Sequence, residues 1–143
     1  MNIAVLGGGQ SLPEDLKKIP KCFLIGVNQH ASELVRPDLI IFTDDKYHNF
    51  KTDTKTKTLQ WSSKFPEFPT SGHFAAWYAG TLTKDKIYLC GFDMYESNYF
   101  HTNHEMTWGG PSNEIKTEQW ERVFELSDNK NYVAVSGPLT FIL

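Results

Sequence analysis

A chain of 143 residues has the length of one domain, and 40% hydrophobic against 22% charged residues is the balance of a globular protein. The formal net charge of −3 supplies no dense cationic surface, which excludes a role in coating extended nucleic acid but leaves a nucleotide open as ligand. No apolar run approaches the roughly 20 residues of a membrane span.

The cytoplasm is the expected compartment, because the amino terminus lacks a charged segment followed by a signal-type apolar run. The two cysteines, Cys22 and Cys90, fall in predicted strands and read as buried free thiols rather than a disulfide or zinc ligands.

Residues 2–6 (NIAVL) form a short apolar run, and Gly7-Gly8-Gly9 follows at once. A strand that opens into glycines lets the backbone turn sharply and approach a ligand with no Cβ in the way. Ser11-Leu12-Pro13-Glu14 has the pattern of a capping box, so residues 7–14 read as strand, glycine loop and helix start. Such a helix start suits phosphate, through its free N–H groups and partial positive charge. GGGQS is neither GxGxxG nor the Walker pattern, and a plain strand-to-helix turn explains the glycines equally well.

The first helix is expected to stop near Ile19-Pro20. Residues 22–27 (CFLIGV) predict a second strand that ends in Asn28-Gln29, and residues 30–36 a short helix before Pro37. Residues 38–43 (DLIIFT) predict a third strand, ending in Asp44-Asp45. The Lys/Thr-rich residues 50–58 read as a solvated loop, and residues 59–61 as a short strand before a proline-punctuated loop.

The most informative stretch is residues 69–95. Thr70 or Ser71 caps a helix on which Phe74, Tyr78 and Leu82 recur at four-residue spacing beside the small Ala75 and Ala79. Residues 87–90 (IYLC) predict a strand covered on both faces, and Gly91-Phe92-Asp93 sets a carboxylate just past its end. Residues 94–110 have no clean periodicity and carry His101 and His104, as a lid or binding loop would. A helix then starts with Ser112 or Asn113 as cap and Trp120, Val123 and Phe124 as its apolar face. Residues 132–136 predict a last strand, and residues 139–143 an added edge.

Strands alternating with helices predict a single α/β domain over residues 1–143, Rossmann-like, with a mostly parallel sheet flanked by helices. Several strands end in polar groups: the glycine loop, Asn28, Asp44 with Asp45, and Asp93. Strand ends meet water, so any one is unremarkable, but together they favour a shared ligand site at the carboxyl edge of the sheet.

The combination of motifs resembles the small bacterial sialyltransferases of glycosyltransferase family 42, with a related layout in archaeal pterin pyrophosphokinase-like and phage proteins. The family's A-G-N-G-P-S-L loop is matched by Leu6-Gly7-Gly8-Gly9-Gln10-Ser11-Leu12, and its C-N-Q by Val27-Asn28-Gln29. Its T-S-G helix start is matched by Thr70-Ser71-Gly72, and its I-Y-L-x-G-x-D-x-Y by the run from Ile87 to Tyr95. The resemblance implies a cytidine nucleotide-sugar donor held by the glycine loop, the strand-end asparagine and the Ser-Gly helix start, with no metal or other cofactor. Two departures stand out: Gly8 replaces the family's loop asparagine, and Gly110-Pro111-Ser112 stands where the family has a catalytic histidine in G-H-S.

The candidate nucleotide-binding residues are thus Gly7, Gly8, Gly9, Gln10, Ser11, Asn28, Gln29, Asp44, Ser71, Gly72, Asp93 and Tyr95. His101 and His104 are candidates for a general base, having the side chain that titrates near neutrality. Three functions compete: a transferase acting on a nucleotide-sugar, a nucleotide-binding module without chemistry, and a metal-dependent phosphoryl transferase or hydrolase using Asp44, Asp45 and Asp93. A purely structural protein is the bland alternative. Exposed aromatics on a small α/β domain make a homo-oligomer a possible partner arrangement.

Overall fold

The computed structural model describes residues 1–42, 56–60, 68–93, 99–100 and 112–143. Among the described residues six strands, β1 (Ile3–Leu6), β2 (Phe23–Val27), β3 (Leu39–Phe42), β4 (Lys57–Gln60), β5 (Ile87–Cys90) and β6 (Tyr132–Ala134), form one sheet in the order β4-β3-β2-β1-β5-β6. Every pairing between these six strands is parallel. The central strand β1 sets Ile3 opposite Phe23 and Ile87, and Leu6 opposite Gly26 and Cys90. This is a Rossmann-like α/β fold.

Side chains alternate across a strand, and the apolar run of β1 therefore feeds two cores. Ile3 and Val5 pack with helices α2 (Ser71–Leu82) and α3 (Asn113–Leu126), while Ala4 and Leu6 pack with Leu12 of helix α1 (Leu12–Leu16). Strand order explains the split. The chain runs outward from β1 to β4 on one side, then returns by α2 to β5 and β6 on the other, and right-handed crossovers put helices for opposite directions on opposite faces. Where the direction reverses, β1 and β5 lie side by side, and sheets of this kind take ligands at the carboxyl ends of the strands around that point. No helix among the described residues is long and apolar enough to cross a membrane.

Strand β4 begins at Lys57, inside the stretch expected to be loop, because the β3 backbone pairs with it from Leu39↔Lys57 onward. It is an edge strand, where an exposed lysine costs nothing and discourages further pairing. No edge strand forms at residues 139–143: Gly137 turns at φ +77° and Pro138–Phe141 is a 3₁₀ turn that buries Leu139. Residues 30–36 give only the 3₁₀ turn His30–Glu33. Cys90 is buried as expected, but Cys22 precedes β2 and is only partly covered.

Helix α2 buries Phe74 with Ala75 and Ala79 as expected, keeps Tyr78 half-buried against the same core, and departs only at Leu82. Ala75, Ala76 and Ala79 are fully buried, whereas Leu82 is 41% exposed. The helix packs on the sheet and on α3 together, so small side chains mark its closest approaches. At Gly80 a Cβ would come within 2.8 Å of the Tyr132 hydroxyl. That hydroxyl donates to the Ala76 carbonyl at 2.7 Å and lies 2.9 Å from Ser127 Oγ, tying β6 to α2.

Candidate functional site

The glycine loop after β1 does not splay from the sheet; it continues the pairing to β5. The Gly7 N–H donates to the Cys90 carbonyl at 2.8 Å, and the Gly9 N–H to the Gly91 carbonyl at 2.8 Å. A Cβ at Gly7 or Gly9 would stand 2.6 Å from the Gly91 oxygen, so side chains are excluded at both. Gly91 itself has φ +71°, in the left-handed region that glycine adopts without strain.

Ser11 departs from the capping-box reading. Its backbone is helical, its hydroxyl caps nothing and instead donates to Asp15 Oδ2 at 3.0 Å, and Glu14 pairs with Lys17. The Ser11 N–H donates to Asp93 Oδ2 at 2.8 Å. A carboxylate of this chain thus holds the amide that an anion at the α1 start would use. Asp15 is 1% exposed and spans the edge: Oδ2 accepts from the Gly91 N–H at 2.9 Å, and Oδ1 from the Ser136 hydroxyl at 2.6 Å.

At the end of β2, Asn28 has φ +56°, the one non-glycine residue at positive φ among those described. Asparagine tolerates that conformation better than most side chains. Asn28 Oδ1 and Gln29 Oε1 are buried and make no hydrogen bond. His30 follows, 3% exposed, and its ring stacks on Tyr99 with centroids 3.9 Å apart and planes 22° apart. Both rings lie over Gly8, where a Cβ would meet each at 2.8 Å. Tyr99 forms an antiparallel bridge with Gly9, and the Phe100 N–H donates to the Gly8 carbonyl at 3.0 Å.

Thr70, of the two expected caps, starts α2: its hydroxyl accepts from the His73 N–H at 3.4 Å and lies 2.7 Å from His73 Nδ1. Phe92 joins this helix start to the glycine loop, since a Cβ on Gly72 would meet its ring at 2.9 Å and one on Gly7 at 3.1 Å. Behind it Trp120 packs edge-on to Phe92 at 5.1 Å and at 4.6 Å from the His73 ring. Burial lowers the His73 pKa to about 3, so this imidazole is neutral. Burial first, then the Asp15 charge and Cys22, pushes the Cys90 thiol up to about 12, which removes it as a nucleophile.

Of the residues singled out in the sequence, Gly7, Gly8, Gly9, Ser11, Asn28, Gln29, Gly72 and Asp93 therefore stand along one edge, with the buried Ser71 at the α2 start and Gln10 exposed. Asp44, Tyr95, His101 and His104, with Asp45, lie outside the described residues. Among the described residues no three His, Cys, Asp or Glu side chains group to hold a metal. The sequence reading missed Asp15, His30 and Tyr99. Only the four-residue step from Ser11 to Asp15 hinted at any of them.

No protein-family model matches the sequence, and no curated protein matches it. Among solved structures, the chain is similar over 100% of its length, and 85% of the other chain, to the sialyltransferase CST-II in complex with a trisaccharide acceptor and CMP, at TM-score 0.68 and 15% identity. A protein from Lactobacillus plantarum matches 62% of this chain and 44% of its own at TM-score 0.45 and 19% identity. The six parallel strands, their flanking helices and that full-length superposition give this chain a sialyltransferase-like fold.

Proposed function

We propose that the carboxyl edge of the sheet binds a nucleotide or nucleotide-sugar, with cytidine favoured, and that the chain is a glycosyltransferase-type protein working without a metal. The observation that carries the reading is the pair of buried acceptors, Asn28 Oδ1 and Gln29 Oε1, without hydrogen bonds just past the carboxyl end of β2, the neighbour of β1. A buried acceptor left unsatisfied costs about 1–3 kcal/mol, which a ligand N–H recovers. The exocyclic amine of cytosine offers such donors. CMP in the solved sialyltransferase of the same fold supports that choice of base.

Phosphate is assigned to the start of α2 rather than α1. The Ser11 amide is held by Asp93, and the Gly7 and Gly9 amides by β5. Helix α2 has twelve residues, and its first turn carries Ser71 and Gly72 with unfilled N–H groups inherent to a helix start. Transfer needs a base for the acceptor hydroxyl, and His101 or His104 is assigned that role.

The test is a thermal-shift series with CMP, UMP, AMP, GMP and a cytidine nucleotide-sugar, each with EDTA or Mg²⁺. Ligand at 100 times its Kd adds about 2.7 kcal/mol, worth roughly 2–8 °C at this size. A cytidine-selective shift that ignores EDTA and disappears in Asn28→Ala is expected. Hydrolysis of the nucleotide-sugar, abolished in the His101→Ala, His104→Ala double variant, would establish turnover. Binding without hydrolysis would leave a nucleotide module, and hydrolysis restored by Mg²⁺ after EDTA would move the chemistry to Asp44, Asp45 and Asp93.

A further inference from the structure

Two carboxylates link the start of α1 to the exit of β5 in opposite directions. Asp93, on the β5 exit, accepts from the Ser11 N–H at the α1 start, and Asp15, on α1, accepts from the Gly91 N–H at the β5 exit. Ser11 takes part in both, because its hydroxyl donates to Asp15 Oδ2. The other oxygen of Asp15 reaches Ser136 beyond the end of β6. One buried side chain thus ties together the segments that leave β1, β5 and β6 at the carboxyl edge of the sheet. Gly91 links this contact to the glycine loop: its N–H is held by Asp15, and its carbonyl accepts from Gly9.

We propose that Asp15 is a positioning residue for the site: it touches no ligand, but fixes the Gly91 turn and thereby the glycine loop and Asp93 against which the ligand is held. The part of the proposal that concerns ligand affinity rests on the nucleotide-binding reading above. Asp15 is half of a reciprocal clasp, so its removal should loosen amides it does not itself touch. Alanine leaves the Gly91 N–H and two hydroxyls without their acceptor. Asparagine keeps one oxygen for Gly91, and the Ser136 hydroxyl can reverse to accept from its amide.

Two readouts on Asp15→Ala, Asp15→Asn and the wild-type chain test this. The first is amide hydrogen exchange without ligand, at a temperature where each variant is folded by circular dichroism. In Asp15→Ala, exchange at Gly91, Gly9 and Ser11 should accelerate together by about tenfold or more, and Asp15→Asn should restore most of the protection. The second is CMP affinity by calorimetry, expected to weaken about tenfold in Asp15→Ala and to recover within about threefold in Asp15→Asn. Tyr132→Phe serves as a control, since it removes a buried hydrogen bond far from this edge and should leave CMP affinity unchanged.

If Asp15→Ala does not fold, Ser136→Ala takes its place, with the same pattern at smaller amplitude. Unchanged exchange at Gly9 and Ser11 would overturn the proposal, as would unchanged CMP affinity in a folded Asp15→Ala or an equal loss in Tyr132→Phe. If the wild-type chain itself fails to bind CMP, the functional reading falls, and the exchange pattern alone decides whether Asp15 sets the geometry of this edge.

Discussion

At φ +71°, Gly91 turns its N–H toward Asp15 and its carbonyl toward Gly9, and a Cβ there would stand 2.9 Å from Leu12 Cβ and 3.0 Å from the Gly7 oxygen. Both the backbone conformation and the space oppose a side chain. Gly91→Ala is therefore expected to destabilise the fold by about 2–4 kcal/mol, read as a lower denaturant midpoint at unchanged slope. Asn28 separates backbone from side chain more cleanly. At φ +56°, Asn28→Gly keeps the conformation and removes the amide, whereas Asn28→Ala removes the amide and adds about 1–2 kcal/mol of left-handed strain. Both variants should lose nucleotide affinity, but only the alanine should lower the melting temperature of the unliganded protein.

Among the elements, α2 shows where propensity and packing disagree. Gly80→Ala gains about 1 kcal/mol in helix propensity but must push a methyl against the Ser127 and Tyr132 hydroxyls, an overpacking worth about 1–3 kcal/mol. Packing should win, and a thermal melt should show net destabilisation. Removing the cap with Thr70→Ala should cost about 0.5–2 kcal/mol, because the hydroxyl serves the His73 backbone and lies against its ring nitrogen.

The same helix marks how far a sequence can be read. Its start at Thr70-Ser71 and the buried strand after it were legible, since caps and apolar runs are local signals. Its buried face was legible at Phe74, Ala75 and Ala79, but not at Leu82, because four-residue spacing does not tell where a helix leaves the core. Likewise, the start of β4 reads as loop because Lys57 and Thr58 carry no strand signal of their own, and only the neighbouring β3 backbone extends the expected strand back to them. At the site, glycines and strand-end asparagine announced themselves through backbone needs. Asp15 did not, because its partners are 76 and 121 residues away in sequence.

At the scale of the whole molecule, stability should depend on His73. Its pKa falls from the ordinary 6.5 to about 3 in the fold, through burial. Between these values the unfolded chain binds a proton that the folded chain does not. Stability is thus full above about pH 6.5 and lost as pH falls toward 3, with a slope of up to about 1.4 kcal/mol per pH unit from this group. Urea midpoints at pH 7, 5.5 and 4.5 should decline more steeply for the wild-type chain than for His73→Gln; equal slopes would contradict the assignment.

The all-parallel sheet reverses direction between β1 and β5, and the sialyltransferase-like fold is built around that reversal. Everything proposed for function depends on the ligand entering there and not at the opposite, amino-terminal edge, where Phe23, Leu39 and Tyr78 line a separate groove with Arg36 and Lys57. Titration of ¹⁵N-labelled protein with CMP in EDTA measures this directly. Amide shifts concentrated at residues 7–11, 28–30, 71–72 and 91–93 are predicted. Shifts confined to the amino-terminal groove, or none at millimolar CMP, would contradict the account.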